Sequence, residues 1–339
     1  MSWRFEPAKA FFEGAWKDWD SNNQAGANHI LLDSGFVGLL LRHFANDKII
    51  LASRLDAAEK GMALLVRKRP GFWETFQPGQ APLGMLLLER PDSSGQALSE
   101  LLRELPGYAL QLSILQQDPD YTSVPLDQSQ GPFERLDHIP TARITLRGSF
   151  EEYWQQRGAN LRHDVKRRRK RAMERGLDPQ LVARRTSEDI ADAIREFGRL
   201  ESSGWKGKEG TAVASDNSQG RFYRELLEHF CARGEGVIYQ LLLGGKVAAS
   251  ELCLMRNGMM VLLKTAYDET LDKFSPAVLM HEDIFRGLYE EGRVKVVEFY
   301  GRVTEWEARW TQEIRTLYHI NLFRHGWVRA LKKLRKAPA

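Results

Sequence analysis

Apolar and polar positions follow the most regular pattern between residues 237 and 300. The pattern predicts three antiparallel strands, a helix and a fourth strand, spanning 237–243, 246–256, 259–267, 277–291 and 295–300. Gly244-Gly245 and Asn257-Gly258 favour two-residue hairpin turns. Ser275-Pro276 is typical of a helix start and Gly292 of a helix end. Because a strand–helix–strand crossover joins parallel strands, the last two strands are expected to lie parallel.

The first third of the chain shows a similar order of elements. A helix, three strands, a helix and a strand are predicted at 36–44, 48–55, 61–68, 71–76, 96–105 and 108–115. Matching elements recur at a separation of 186 to 189 residues. The pattern therefore predicts two copies of one fold, covering 1–140 and 141–339 and joined near Pro140. A single mixed α/β domain is the alternative.

The second half contains additional helices. Ser149 and Glu152 match a capping box, and the pattern predicts further elements: helices at 150–157, 161–175, 190–200, 222–230 and 305–315, and strands at 181–184 and 317–323. The helix at 161–175 is strongly basic, since eight of its residues are Lys or Arg and 166–171 is an unbroken run.

Composition narrows the class of protein. The 339 residues are 42% hydrophobic and 28% charged, which is ordinary for a soluble globular chain. Cys231 and Cys253 offer no disulfide framework, and no apolar run is long enough for a transmembrane helix. We therefore expect a cytoplasmic protein. No C-x-x-C or H-E-x-x-H motif occurs, so no metal site is predicted.

The order of elements from Leu181 onward is similar to the Gcn5-related N-acetyltransferase (GNAT) fold. The residues resemble more narrowly the cellulose-biosynthesis-type (CelD/BcsL-like) acetyltransferases, relatives of the Fem-type tandem GNAT ligases. The segments that carry this resemblance are Ser149–Tyr153, Asn160–Arg162, Ser203–Gly207, Gly210-Thr211, Lys264–Glu269, Phe274–Pro276 and Tyr300–Arg302. The resemblance implies an α/β fold of tandem GNAT-like domains, each a mixed antiparallel and parallel sheet flanked by helices.

The resemblance also implies an acyl-CoA donor held between the two parallel strands, with its pyrophosphate at the start of the crossover helix. The donor-binding residues would be Ala266, Phe274, Ser275, Pro276, Ala277, Val278 and Leu279. The usual glycine-rich loop is absent: Ser275-Pro276-Ala277 stands in its place, and a proline has no N–H. Asp268 is a further catalytic candidate from the same region, and Tyr267 a substrate-binding candidate.

Strand register suggests a second group of residues. A two-residue turn at Asn257-Gly258 places Glu251 opposite Lys264 on one side of the sheet, and Glu298 on the next strand is a candidate to join them. A carboxylate there is suited to deprotonating an acceptor amine, although a surface salt bridge is the alternative.

Aromatic and basic residues outside the strands supply the remaining candidates. Trp205 and Lys206 lie in a glycine-containing loop suited to cover an anionic or sugar substrate. Trp306 and Arg315 are candidates for substrate binding, and Tyr318 for donating a proton to the leaving thiolate. His281, on the crossover helix, is interpreted as a packing or surface residue.

The sequence thus predicts an acyltransferase that moves an acyl group, acetyl from acetyl-CoA in the first place, to an amine or a sugar-type hydroxyl. One alternative is a Fem-like transferase that uses aminoacyl-tRNA and binds it through Lys166–Arg171; the same run is also suited to an anionic surface or to CoA phosphates. Another is a non-catalytic binding protein with this fold. The acceptor and the oligomeric state stay open.

Overall fold

The computed structural model describes residues 3–55, 60–89, 94–122, 124, 133–203 and 217–336. Within these ranges the strands β1 to β13 are Arg4–Pro7, Ile49–Arg54, Gly61–Arg69, Phe72–Thr75, Leu86–Leu88, Gln111–Gln117, Phe133–Thr145, Pro179–Arg184, Gly236–Leu243, Lys246–Arg256, Met259–Tyr267, Val296–Glu298 and Glu313–Phe323. The α-helices α1 to α10 are Trp16–Ala25, Ser34–Phe44, Ser94–Glu104, Phe150–Gln155, Ala159–Glu174, Ser187–Ser203, Ser218–Ala232, Pro276–Glu291, Glu305–Ala308 and Gly326–Lys336. Short 3-10 helices cover Ala8–Phe11, Ile30–Leu32 and Glu269–Phe274.

The chain forms two compact units, one of residues 1–140 together with 315–339 and one of residues 141–314. The sheet of the first unit has the order β1-β2-β3-β4-β6-β13, with β5 paired to β3. Its β4 and β6 run parallel, whereas the pairs β1–β2, β2–β3, β3–β4, β3–β5 and β6–β13 run antiparallel. Helix α3 packs its leucines on one face of this sheet. A mixed sheet flanked by helices confirms the predicted fold class.

The sheet of the second unit has the order β7-β12-β11-β10-β9-β8. Strand β12 is parallel to β11 and antiparallel to the end of β7. Helix α8 packs against one face through residues such as Leu279 and Phe285, and α6 and α7 contact the other. The predicted parallel pair joined by a crossover helix is therefore confirmed.

Both predicted hairpin turns are present in the second unit. Gly244 and Gly245 have φ values of 57° and 78°, and Asn257 and Gly258 have values of 50° and 77°. Two successive positive φ values define the turn whose twist matches that of paired strands, which explains why glycine and asparagine occupy these positions.

Three predictions near the unit boundaries differ from the structure. Pro140 lies inside β7 and not in a linker, and the next residue, Thr141, is the first of the second unit. Residues 315–339 belong to the first unit, because β13 pairs with β6 from Tyr318 to Phe323. The predicted helix at 305–315 ends at Ala308, since Glu313 already begins β13.

The basic helix α5 is fixed to α8 by an ion-pair cluster. The Arg169 guanidinium lies 2.5 Å from Glu282 Oε2 and 2.6 Å from Asp283 Oδ1. Burial raises the pKa of Asp283 to about 6, and the positive charge of Arg169 opposes that rise. In contrast, Lys170 points outward and its side chain is 76% exposed. The unbroken basic run thus has an inner part that holds α8 and an outer part that faces solvent.

We predict that residues 1–140 do not fold without 315–339. Strand β13 places Leu317, Ile320, Leu322 and Phe323 in buried positions of the first unit. A buried apolar side chain contributes about 1.5–3 kcal/mol, so losing four removes about 6–12 kcal/mol, comparable with the stability of a whole domain. Circular dichroism and thermal melting of a 1–140 fragment should show no cooperative transition.

The matched control is the same fragment joined through a flexible linker to 315–339, which should melt cooperatively. Cooperative folding of the shorter fragment alone would contradict the prediction.

We also predict that Arg169→Ala lowers the free energy of unfolding by about 2 kcal/mol. Removing a fully buried ion-pair partner would cost more, but the Arg169 guanidinium is partly solvated. The variant leaves the carboxylates of Glu282 and Asp283 without this cation. Lys170→Ala, on the same helix, should change stability by less than about 0.5 kcal/mol. Urea denaturation of the two variants measures the difference, and equal losses would show that α5 is not held by Arg169.

Candidate functional site

A wedge opens between the two parallel strands of the second unit. Strands β11 and β12 pair only where Met259–Val261 faces Val296–Glu298. Beyond this point β11 stays with β10 as far as Tyr267, while Phe299 donates its N–H to Ala142 O on β7. The two strands therefore follow different neighbours and separate, with Glu298 at the vertex of the wedge.

A β-bulge lies in β11 beside the wedge. The register with β10 runs regularly from Arg256–Met259 to Cys253–Leu262, then skips Leu263 and resumes at Leu252–Lys264. The extra residue of a bulge is left out of the ladder, and the strand bends there. The bulge thus lies two residues past the last position that β11 shares with β12.

The bulge corrects the predicted pairing of Glu251 with Lys264. Glu251 faces Thr265, and Lys264 faces Leu252. Because a slip of one residue transfers side chains to the other face of a sheet, Glu251 and Lys264 lie on opposite faces. The prediction was wrong because counting back from the turn at Asn257-Gly258 assumes an unbroken ladder.

Lys264 lies on the face covered by α6. Its Nζ is 3.1 Å from Glu201 Oε1 and 5.9 Å from the centroid of the Tyr223 ring. The Glu201 side chain is only 1% exposed. Burial, and to a lesser extent the negative charge of Glu201, raises the pKa of Tyr223 well above its ordinary value. Glu298 is fully buried and, as the register partner of Val261, projects to this same face.

Glu251 and His281 form a buried pair beneath α8. Both side chains are 0% exposed, and His281 Nε2 is 3.2 Å from Glu251 Oε2. Thr265 Oγ1 donates to the same carboxylate oxygen at 2.5 Å. His281 Nδ1 is 2.7 Å from Ala277 O, and since a carbonyl only accepts, Nδ1 carries a hydrogen. The pair thus links β10 to the first turn of α8.

The contact between His281 and Glu251 was not predicted from the sequence, although a packing position for His281 was. One signal was available: His281 is followed by Ile284, Phe285 and Leu288, at the spacing of the buried stripe of α8. A histidine inside an apolar stripe needs a polar partner on the opposing strand, and Glu251 is the carboxylate at that level.

The start of α8 is where the donor-binding residues were predicted. Pro276, Ala277 and Val278 are buried there, as are Ala266 and Phe274. Ser275, with φ of 45°, is half-buried, and its carbonyl accepts hydrogen bonds from the N–H groups of Val278 and Leu279. These backbone donors are therefore already used within the first turn.

Cations surround this helix start. Arg168 Nη1 donates to Asp272 O at 2.9 Å, and Arg171 Nη1 donates to Lys273 O at 3.3 Å. Lys273 itself is exposed. Three positive side chains thus lie on the residues that immediately precede Ser275, which makes this end of α8 attractive to phosphate groups.

The other predicted residues lie in different surroundings. Asp268 caps the 3-10 helix at Glu269–Phe274 by accepting hydrogen bonds from Thr270, and Tyr267 is 41% exposed. The ring of Trp306 is 4.7 Å from that of His281. Trp205 and Lys206 lie outside the described residues.

Two predicted residues belong to the first unit. Tyr318 is buried, and its hydroxyl accepts a hydrogen bond from Val124 N at 2.9 Å. Arg315 makes a two-pronged contact with the buried carboxylate of Asp118, at 2.9 Å and 2.5 Å. Both side chains thus contribute to the interior of the first unit.

In the part of the chain that the structure describes, no group of three or more His, Cys, Asp or Glu side chains is arranged to hold a metal ion. None of the helices in the same ranges combines the length and apolar character needed to cross a membrane.

Comparison with known proteins supports the fold. FemX superposes with a TM-score of 0.58 at 10% identity, over 94% of this chain and 98% of FemX. L-PGS from Bacillus licheniformis gives a TM-score of 0.53 at 12% identity, over 94% of this chain and 96% of L-PGS. At such identities these likenesses show a shared fold alone. No curated protein sequence matches.

A sequence comparison identifies the family. The model described as "Acetyltransferase (GNAT) domain" matches residues 159–330, just over half of the 339 residues. The matched region contains the wedge, the bulge and the start of α8. The chain therefore belongs to the GNAT acetyltransferase-domain family.

Proposed function

We propose that this protein transfers an acetyl group from acetyl-CoA to an amine or a sugar-type hydroxyl. The observation that carries the proposal is the wedge, since β11 and β12 part after Val261 and Glu298. Where neighbouring parallel strands separate, an elongated cleft lies between them. The extended arm of the CoA donor is suited to fill such a cleft. This proposal includes membership of the CelD/BcsL-like group of acetyltransferases, which the sequence resembles.

The anionic end of the donor is proposed to lie at Ser275. A phosphate placed there meets the N-terminus of α8 and the cations Arg168, Arg171 and Lys273. Because Pro276 has no N–H and the amides of Val278 and Leu279 bond within the turn, side chains supply most of the positive charge.

The reacting end of the donor is proposed to lie near the bulge. A backbone N–H released from the ladder at Leu263 is suited to polarise the thioester carbonyl. Glu298, at the vertex, takes the proton of the acceptor nucleophile directly or through one water. The nucleophile then bonds to the carbonyl carbon, the carbon–sulfur bond breaks, and CoA leaves as a thiolate that takes up a proton from solvent. Lys264 and Glu201 border the same face of the sheet.

Glu251 is proposed to position the donor site and not to react. Its contact with His281, which donates to Ala277 O, ties the first turn of α8 to β10. The pair thereby fixes Ala277 at the helix start. Tyr318 has no step in this scheme, because its hydroxyl is hydrogen bonded inside the first unit.

A Fem-like transferase that uses aminoacyl-tRNA is the second candidate. Lys166, Arg167 and Lys170 project from the outer side of α5, and all three are exposed. Such a surface is suited to the phosphates of a polynucleotide, and its affinity would fall steeply with salt. The two donors share a phosphate-bearing end but would use different parts of α5.

We predict that calorimetry detects acetyl-CoA binding and that Lys273→Gln weakens it about fivefold, the effect of removing one exposed cation from a phosphate. Lys170→Gln, on the outer side of α5, should leave acetyl-CoA binding unchanged. Absence of both heat and a thermal shift at millimolar acetyl-CoA would rule out this donor. Binding of tRNA that Lys170→Gln weakens and Lys273→Gln does not would instead favour the Fem-like transferase.

Loss of the Glu298 carboxylate should lower turnover by about 10²–10⁴, the usual contribution of a general base. The measurement is mass spectrometry of products formed from an acyl-CoA panel and a metabolite extract, comparing wild type with Glu298→Gln. Affinity for acetyl-CoA should stay the same. Glu290→Gln, which removes an exposed carboxylate at the other end of α8, is the control. Full activity of Glu298→Gln would exclude Glu298 as the base, and product formation by neither protein would favour a non-catalytic binding role.

A further inference from the structure

The C-terminal helix of the first unit leaves large apolar side chains in solvent. Trp327 is 55% exposed and Leu331 54% exposed, although Val328 of the same helix is buried. Trp327 and Leu331 are one turn apart and therefore share a side of α10. Together with Phe72 and Leu110 they line a cavity of about 420 Å³ on the sheet. One side of α10 therefore packs on the sheet, and a second apolar side faces solvent.

A third exposed aromatic residue extends this surface. Tyr108 is 62% exposed, and its hydroxyl lies 2.9 Å from His325 Nε2. The His325 ring in turn stacks on Trp327, with 6.1 Å between centroids and 10° between planes. Tyr108, Trp327 and Leu331 therefore form one patch, named here the α10 patch.

Basic residues border the α10 patch. Lys68 and Arg69 line the same cavity as Trp327 and Leu331. Both are exposed, as is Arg67, and the Arg324 guanidinium lies 4.3 Å from the centroid of the Tyr108 ring. The sequence of α10 contains five Lys or Arg and no Asp or Glu. Glu74, which pairs with Lys68 at 3.0 Å, is the acidic residue of the cavity lining.

We propose that the α10 patch docks onto an anionic phospholipid surface. An amphipathic helix that exposes Trp and Leu beside Lys and Arg has the chemistry of segments that lie in the membrane interface. Aromatic rings with a polar edge, such as those of Tyr108 and Trp327, favour the headgroup level. The surrounding cations supply attraction to negatively charged lipids, each contributing severalfold in affinity at moderate salt. An anionic phospholipid surface matches the α10 patch because it combines an apolar interior with negatively charged headgroups.

Vesicle co-sedimentation of the full chain tests this proposal. Vesicles of phosphatidylcholine with one quarter phosphatidylglycerol should bind the protein at low salt, and vesicles of phosphatidylcholine alone should not. Leu331→Asp should weaken binding to the anionic vesicles at least about tenfold, because it removes one inserted side chain and adds a negative charge. Arg69→Gln should weaken binding about fivefold.

Phe12→Asp is the matched control, since Phe12 is 50% exposed on the same unit and lies outside the patch. It should bind as wild type does, and melting curves of both aspartate variants should show that they fold. Equal binding to neutral and anionic vesicles, or no binding to either, would overturn the proposal. So would a concentration-dependent dimer that Leu331→Asp dissociates, or binding of tRNA in place of vesicles that Arg69→Gln reduces and Leu331→Asp does not.

Discussion

After Val261, β11 keeps its hydrogen-bonded neighbour β10 and loses β12, and the candidate site depends on this parting of strands. A strand in the interior of a sheet normally satisfies its backbone groups on both sides, so one that gives up a neighbour exposes donors and acceptors to whatever enters the cleft. Here the cleft has a buried carboxylate, Glu298, at its narrow end and a bulge at Leu263 along its side. Both features lie at or just past the last pair of the β11–β12 ladder.

Much of the second unit could be predicted because its signals are local. The turns at Gly244-Gly245 and Asn257-Gly258 and the helix start at Ser275-Pro276 depend on residues next to each other in the chain. The bulge could not be predicted, because leucine at position 263 gives no signal of a bulge. The change of register becomes visible only when β11 is paired with β10. The contact of His281 with Glu251 could not be predicted for the same reason, because the two residues are distant in sequence.

The basic helix illustrates how one sequence feature divides into two roles once the fold is known. A run of like charges encircles a helix, so some members must face the protein. Arg168, Arg169 and Arg171 hold the 3-10 helix and α8 through carbonyl and carboxylate contacts. Lys166 and Lys170 remain at the surface. The number of basic residues in the sequence therefore overstates the positive charge that a ligand can contact. At the candidate phosphate site, the positive potential comes from residues that also hold the site together.

The position of β13 affects the order in which the polypeptide matures. Residues 141–314 form a unit whose segments have all been synthesised before residue 315 is added. The sheet that begins with β1 must wait for Tyr318 to Phe323, which leave the ribosome later still. Domains usually complete their folding from the N-terminus onward as translation proceeds. In this chain the segments of the second unit are complete first, and the edge of β6 that β13 covers has no partner strand until Tyr318 to Phe323 follow.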